Sequence, residues 1–309
     1  MDTITTMVTP TIRMITDAAK LMRLQSWFSP AFPIGAYSYS HALEWAVESG
    51  AVRDRATLVD WLDADLRHGA GRADGIFFAQ TWRAVAAPSP SPAACGVALS
   101  REGRGQTVLM DSPCIASPGS SPLPLRERAD AQRPGEGDGA SPIAAADAND
   151  ASLPQGALLA TAELAAAMRA TSELALESSQ QGVAFLSAVR KAWPHPALDQ
   201  HAALLREAGL TPVQPVAAGM ACAVHGIPLE LALPLYLHAG AANLINAAVR
   251  LIPLGQSDGQ MAVAALERAV ADTAIDVLQC GLADIGSAAF MIDIASMQHE
   301  TQYTRLFRS

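Results

Sequence analysis

Histidine side chains are the groups in this 309-residue chain whose chemistry first suggests a metal site. The chain has seven of them: His41, His68, His195, His201, His225, His238 and His299. Imidazole suits transition metals such as nickel, but no two of these residues lie three or four positions apart, the spacing that brings two ligands to one helix face. We therefore predict no persistent metal site within one chain, while a transient site or one shared between chains stays open.

Carboxylates could in principle supply a general acid and base, and several acidic residues cluster early in the chain. They are Glu44, Glu48, Asp60, Asp63 and Asp65. Acidic residues at helical spacing are more often a solvated helix face than a catalytic pair, because general acid–base work needs two groups converging on a substrate. We predict no catalytic residue among them.

Motifs for nucleotide or hydrolytic chemistry are also missing from the sequence. Neither Lys20 nor Lys191 completes a G-x-x-x-x-G-K-[ST] phosphate loop, and the chain contains no G-x-S-x-G. His299-Glu300 is followed by Thr301-Gln302-Tyr303, so it lacks the second histidine of a zinc-protease motif. We predict that the chain is not an enzyme and binds no cofactor.

Composition excludes further classes of function. The formal net charge is −9, whereas a nucleic-acid surface is normally basic, so we expect no nucleic-acid partner. Half of the residues are hydrophobic, which is enough for a sizeable core. The four cysteines form no C-x-x-C pair, which argues against a disulfide framework or a structural zinc site.

Membrane and export signals are not apparent. The longest apolar stretch, residues 229–252, is interrupted by proline and by polar and charged residues, so it is too broken for a bilayer span. The N-terminus carries Asp2 and Asp17 and has no compact apolar run after basic residues, unlike a secretory signal. We expect a cytoplasmic protein with no membrane partner.

One segment, Ser29–Glu44, has the residues of a rigid turn that leads into a helix; we call it the signature loop. Its two prolines, Pro30 and Pro33, restrict the backbone, and Gly35 permits a conformation that a side chain would obstruct. Ser38 or Ser40 can cap a helix that we place at about residues 40–49. Three aromatic rings in so short a loop exceed what a plain connector needs.

The signature loop resembles the corresponding signature of the urease accessory protein UreF family. A second and independent match is Asp293–Ser309, at the other end of the chain. The resemblance covers roughly Leu21–Arg83 and Leu158–Ser309, and residues 88–155 depart from it. It implies a non-enzymatic urease maturation protein that dimerises and links UreD (also called UreH) to the GTPase UreG, so that GTP binding and hydrolysis are coupled to nickel insertion into the urease apoenzyme.

The resemblance also implies which residues bind partners, the last ones contacting UreD. The predicted partner-binding residues are Pro33, Gly35, Tyr37, Ser38, Tyr39, His41, Glu44, Met297, His299, Glu300, Gln302, Tyr303, Arg305, Leu306, Phe307 and Arg308. For His41 and His299 a capping or core role is an alternative. Because rings and arginines occur together in residues 294–309, the C-terminal segment, we expect it to become ordered mainly on binding a partner.

Hydrophobic spacing of about 3.6 residues recurs along most of the chain, which predicts an all-α fold: one bundle-like domain formed by residues 16–87 and 156–293. Residues 1–15 lack periodicity, and we expect a flexible N-terminus. Residues 88–155 are rich in proline and contain no aromatic residue, which predicts a disordered insertion, with a linker between two domains as the alternative.

Two other functions remain open at this point. The chain could itself hold nickel as a metallochaperone, although its histidines are scattered. It could also act as a GTPase-activating protein that inserts an arginine in trans, with Arg305 or Arg308 as the candidates.

Overall fold

The structure is a computed structural model that describes residues 17–87 and 154–309 of the chain. Within these ranges the backbone is helical and contains no strand, which confirms the all-α prediction. The α-helices are α1 (residues 17–27), α2 (Leu43–Glu48), α3 (Arg55–His68), α4 (Ala70–Ala86), α5 (Pro154–Ala167), α6 (Ser172–Ala192), α7 (Pro196–Glu207), α8 (Gln214–Val224), α9 (Leu229–Leu251), α10 (Gln256–Gln279) and α11 (Phe290–His299). Short 3-10 helices occupy Ala36–Ser38 and Leu282–Asp284.

Capping residues set several helix ends. The Asp54 carboxylate accepts from the Thr57 backbone N–H at 2.9 Å, and the Thr57 hydroxyl accepts from the Asp54 N–H at 3.1 Å, so α3 begins with a capping box as its first residues predict. At α6 the cap is Thr171, whose hydroxyl accepts from the Leu174 N–H. Pro196 stands at the start of α7, where its missing N–H costs nothing.

Helix α8 lies at the centre of the fold and packs on α4 and α6. Its residues from Pro215 to Cys222 are all buried, so it is apolar on every side, as a helix inside a core must be. Gly219 lets α8 approach α4 closely, because a Cβ at this position would lie 2.5 Å from the Phe78 carbonyl oxygen. The remaining helices surround this pair.

Helices on both sides of the undescribed stretch share one hydrophobic core. Leu158 and Ala162 of α5 belong to the same buried cluster as Ile76 and Phe77 of α4. The insertion predicted at residues 88–155 lies outside the described residues, except that Pro154 and Gln155 begin α5. The predicted flexible N-terminus, residues 1–15, lies outside them as well.

The start of α2 differs from the prediction. It begins at Leu43, three residues after Ser40, because His41 and Ala42 adopt left-handed conformations with φ of 53° and 66° that end any continuous helix before them. The Ser40 hydroxyl still accepts from the Glu44 N–H at 3.3 Å. Gly50 follows the helix with φ of 76°, the left-handed conformation usual for glycine at C′.

Helices long and apolar enough to cross a bilayer were sought in residues 17–87 and 154–309, and none was found there.

Candidate functional site at the junction of the two signature segments

The signature loop and the C-terminal segment, which lie at opposite ends of the sequence, are in direct contact in the structure. The Ser40 N–H donates to the Ser309 carbonyl oxygen at 2.8 Å, and the Arg308 N–H donates to the Ser38 carbonyl oxygen at 2.9 Å. The Ser40 hydroxyl also donates to the Ser309 carbonyl oxygen. These backbone contacts fix the position of the C-terminal segment on the loop. We call this region the junction.

Glu44 is the main acceptor in the junction. It lies in the first turn of α2, where the helix dipole favours a carboxylate, and only 7% of the residue is exposed. Its carboxylate accepts from the backbone N–H groups of Leu306 at 2.6 Å and Phe307 at 2.9 Å. One glutamate therefore satisfies two main-chain donors of the C-terminal segment.

His299, at the last position of α11, lies between two carboxylates and is fully buried. Its Nδ1 is 2.6 Å from a Glu173 oxygen, and its Nε2 is 3.3 Å from a Glu44 oxygen. Arg305 forms an ion pair with the second oxygen of Glu173. The imidazole thus connects α2, α6 and α11 at one point.

Helix α6 provides a row of polar side chains that holds both segments. Glu173, Glu177 and Gln180 occupy successive turns, and Gln180 accepts from the Tyr39 hydroxyl and from Arg308. Glu177 accepts from the Ser309 hydroxyl and from Gln181. The row is placed by helical geometry, because residues three and four apart lie on one face.

His41 faces Glu177 from the signature loop, with Nδ1 3.6 Å from a carboxylate oxygen. Burial alone would lower the pKa of the imidazole, but the hydrogen bond and charge of Glu177, with smaller contributions from Asp65 and Asp74, raise it to about 9. His41 is therefore a cation at neutral pH. The left-handed backbone of His41 is strained, and the contacts around this residue hold it in that conformation.

Arginines cover the aromatic rings of the junction. The Arg250 guanidinium of α9 lies 4.4 Å from the centroid of the Phe307 ring and donates to the Tyr37 carbonyl oxygen at 2.9 Å. Arg308 lies 5.6 Å from the centroid of the Tyr39 ring. Both are cation–π distances, so Arg250 of α9 covers a ring of the C-terminal segment, and Arg308 of that segment contacts a ring of the signature loop.

The predicted partner-binding residues lie in the two segments that meet at the junction, but they differ in exposure. Those at its surface are Pro33, Tyr37, Met297, Glu300, Tyr303, Arg305, Leu306 and Arg308. Those of intermediate burial are Gly35, Ser38, His41 and Gln302. Those buried within the chain are Tyr39, Glu44, His299 and Phe307. Partner binding by any of them stays a prediction, and the buried group is enclosed by the chain's own atoms.

The expectation that the C-terminal segment is ordered mainly on binding a partner is corrected by the structure. Phe307 is only 4% exposed because it packs beneath Arg250, and Ser309 is buried against Glu177. Tyr303, in contrast, is fully exposed, and Leu306 is largely exposed. The segment is therefore folded on its own chain while part of its apolar surface stays outside.

Several residues of the junction were missed in the sequence analysis. Glu173 and Glu177 give a detectable signal, since two carboxylates four residues apart lie on one helix face, here beside Leu174 and Leu176. Arg250 gives no such signal, because an arginine in the last turn of a helix is common. Its contact with Phe307 exists only in the folded chain.

An exposed apolar face adjoins the junction. On α11, Ile292 and Ala295 pack inward, whereas Phe290, Ile294 and Met297 lie on the outside at i, i+4 and i+7 spacing, with Met291 beside them. Phe290 is 67% exposed and Met297 52%. We call these four residues the α11 face. A row of this kind is the usual form of a helical docking surface.

Metal ligands are not grouped in the junction. Within residues 17–87 and 154–309, no cluster of three or more His, Cys, Asp or Glu side chains is arranged to hold a metal ion. The Glu44 and Glu173 carboxylates both contact the His299 ring, and Glu44 also accepts from the Leu306 N–H of the C-terminal segment.

The helical fold and the junction define a class: an all-α protein whose N-terminal loop and C-terminal segment are joined by buried carboxylates. Comparison with known proteins then identifies the family. The UreF family model matches residues 52–100 and 135–267. The urease accessory protein UreF of Rhodopseudomonas palustris (strain HaA2) is 41% identical over 293 residues, which cover 95% of each chain.

Two further relatives carry the same name. The UreF of Bradyrhizobium diazoefficiens is 40% identical over 294 residues, covering 95% of this chain and 93% of the relative. That of Azorhizobium caulinodans is 38% identical over 288 residues, covering 93% and 95%. The chain belongs to the UreF family of urease accessory proteins, which confirms the resemblance seen in its two signature segments.

The comparisons also bear on the segment that seemed to depart from the family. The family model leaves residues 101–134 unmatched. These residues lie inside the segment 88–155 that departs from the resemblance.

Proposed function

We propose that the protein is a non-enzymatic scaffold in urease maturation, which links UreD (UreH) to the GTPase UreG while nickel is inserted into the urease apoenzyme. The observation that carries this proposal is membership of the urease accessory protein family over 95% of the chain. The protein acts in the cytoplasm, as a homodimer, by holding other proteins in position.

The geometry of the junction supports a scaffold. Its buried carboxylates lock the C-terminal segment against the signature loop, and the same contacts hold α11 with its apolar face outward. Phe290, Met291, Ile294 and Met297 then form, with Tyr303 and Leu306, a surface of large apolar side chains. Such side chains supply most of the binding energy when a partner covers them. We assign this surface to UreD.

The arginines of the C-terminal segment favour a scaffold over a trans-acting arginine finger. Arg305 is paired with Glu173, and Arg308 donates to Gln180 and lies over Tyr39. An arginine that stabilises a transition state on a partner has to leave its own contacts first. These two side chains are instead used to hold the segment on its own chain.

The test is co-purification of the protein with UreD, UreG and urease apoenzyme, followed by urease activation with defined nickel and GTP. Phe290→Ser and Met297→Ser should each weaken UreD capture and slow activation, since each removes an exposed anchor. Ile275→Ser is the matched control, because Ile275 is 65% exposed but lies on α10. Equal capture by all three variants would show that the α11 face is not the UreD surface. A complex that forms yet leaves urease inactive would contradict the maturation function itself.

A further inference from the structure

A cavity lies beneath the signature loop, separate from the α11 face. Its volume is about 150 Å³, and its walls come from the loop, α1, α3, α4, α6, α9 and the first residue of α8. Close-packed interiors contain few voids larger than a water molecule, and an engineered cavity of this volume admits benzene. The lining residues that are exposed are Pro30 and Gly240, so the opening lies between the loop and α9.

The floor of the cavity has more negative than positive groups. Its three carboxylates are Asp65, Asp74 and Glu177. Two of them have cationic partners, since Arg169 donates to Asp74 at 2.6 Å and the His41 imidazolium faces Glu177 at 3.6 Å. Asp65 has no ion-pair partner of its own within the described residues.

Asp65 is held in place by the main chain, not by a countercharge. Its carboxylate accepts from the Gly71 N–H at 3.4 Å, and only 7% of the residue is exposed. Burial, and to a smaller extent the charge of Asp74, raises the pKa of this carboxyl, while His41 and the Gly71 N–H act in the opposite direction. Burial is thus the main cause that disfavours the charged form of Asp65, and a further cation beside the carboxylate would favour that form.

The upper walls of the cavity are aromatic. Trp27, Phe28, Phe32 and Tyr236 all line it, and ring faces attract cations in a desolvated site. Trp27 is 1% exposed, yet its indole N–H meets no acceptor among the described residues. A buried donor without an acceptor is costly, and it points to a water molecule beside the ring.

We propose that this cavity is a binding site for a small organic cation, a protonated amine or amidinium of no more than about benzene size. Its N–H groups would be shared among the three carboxylates, and its apolar part would lie against the rings. A metal ion fits less well, because the described residues contain no group of three or more His, Cys, Asp or Glu that could hold one. The proposal does not depend on partner docking at the α11 face.

The probe is methylguanidinium chloride, titrated into the full-length protein by calorimetry, with sodium chloride at equal ionic strength as the reference. Glu177→Gln removes one carboxylate charge, and we expect it to weaken binding by about tenfold, the usual effect of losing one charge-assisted hydrogen bond. Because Glu177 also contacts Ser309, a second variant is needed that leaves the junction intact.

That variant is Ala239→Phe, which places a ring at the wall of the cavity on α9. Ala242→Phe is its matched control, since Ala242 is half-buried on the same helix and does not line the cavity. We expect Ala239→Phe to abolish methylguanidinium binding and Ala242→Phe to leave it unchanged. The proposal is overturned if sodium chloride gives the same heat, if Ala239→Phe binds normally, or if zinc chloride binds in a Glu177-dependent way and methylguanidinium does not.

Discussion

At the scale of single residues, Glu44 shows how one side chain can hold two distant parts of the chain together. Its carboxylate accepts from two backbone N–H groups of the C-terminal segment and contacts the His299 ring, all within a buried site. A buried carboxylate that accepts from several donors stabilises a fold more than an exposed ion pair does. If the carboxylate is removed, no water can take its place as the acceptor for those donors.

Glu44→Ala should therefore lower the free energy of unfolding by about 2–3 kcal/mol, because it leaves buried donors of Leu306 and Phe307 unpaired. Urea unfolding followed by circular dichroism measures the change. Glu48→Ala is the control, since Glu48 is exposed on the same short helix. Similar losses in both variants would mean that the Glu44 contacts contribute little.

His41 makes stability depend on pH in a defined direction. The pKa of its imidazole rises from 6.5 in the unfolded chain to about 9 in the folded one, so its contribution is complete below about pH 6.5 and is lost as the pH rises through 9. His41→Asn keeps a residue that tolerates the left-handed backbone but removes the charge. At pH 6 we expect the free energy of unfolding of the wild type to be higher than that of this variant by an amount on the order of 2–3 kcal/mol.

The measurement is the free energy of unfolding of both proteins at pH 6, 7.5 and 9.5. The difference between them should shrink steadily across this series, since titrations elsewhere in the chain are common to the two proteins. A difference that stays constant or grows with pH would contradict the assignment of a charged His41 opposite Glu177.

Local chemistry explains which single residues could be predicted from the sequence. Gly35 has φ of 74°, and Asp54 caps α3; both follow from a residue and its immediate neighbours. The burial of Phe307 and His299 could not be predicted in the same way. It depends on Glu44, Glu173 and Arg250, which reach them only after the chain has folded.

At the scale of elements, hydrophobic periodicity was sufficient to predict the all-α fold of residues 17–87 and 154–309, but the close approach of the helices depends on a few glycines. Gly182 of α6 faces the backbone that leads into α8. A Cβ there would lie 2.7 Å from the Val213 carbonyl carbon and closer still to the Pro212 carbonyl oxygen. Backbone atoms cannot move aside as a flexible side chain can, so the two elements would have to separate.

Gly182→Ala should therefore lower the free energy of unfolding by about 1–3 kcal/mol through overpacking. Gly240→Ala is the matched helical control, since nothing lies within 4 Å of its Cβ position and its backbone is helical. We expect the control to gain about 0.5–1 kcal/mol from the better helix propensity of alanine. Thermal and urea unfolding of the two variants show whether each substitution lowers or raises the free energy of unfolding. A rise in both variants would show that α6 and α8 are less tightly packed at Gly182.

At the scale of the whole molecule, the two ends of the sequence form one structure on the row of Glu173, Glu177 and Gln180 in α6. Sequence patterns identified both ends as unusual but could not show that they meet, because no local rule relates residues about 260 positions apart. The consequence is that the C-terminal segment has both a buried and an exposed part. The two parts should respond differently to substitution.

Phe307→Ala and Tyr303→Ala separate these parts. Phe307 is 4% exposed beneath Arg250, so its truncation should cost about 3–5 kcal/mol of folding free energy, the usual loss for a buried phenylalanine. Tyr303 is fully exposed, so its truncation should leave stability unchanged and, if the segment contacts UreD, should weaken that complex by about 1–3 kcal/mol. Thermal melts together with UreD titrations give both quantities. A stable Phe307→Ala variant would mean that the C-terminal segment is not held by the junction in solution, and an unaltered complex with Tyr303→Ala would place the partner on another surface.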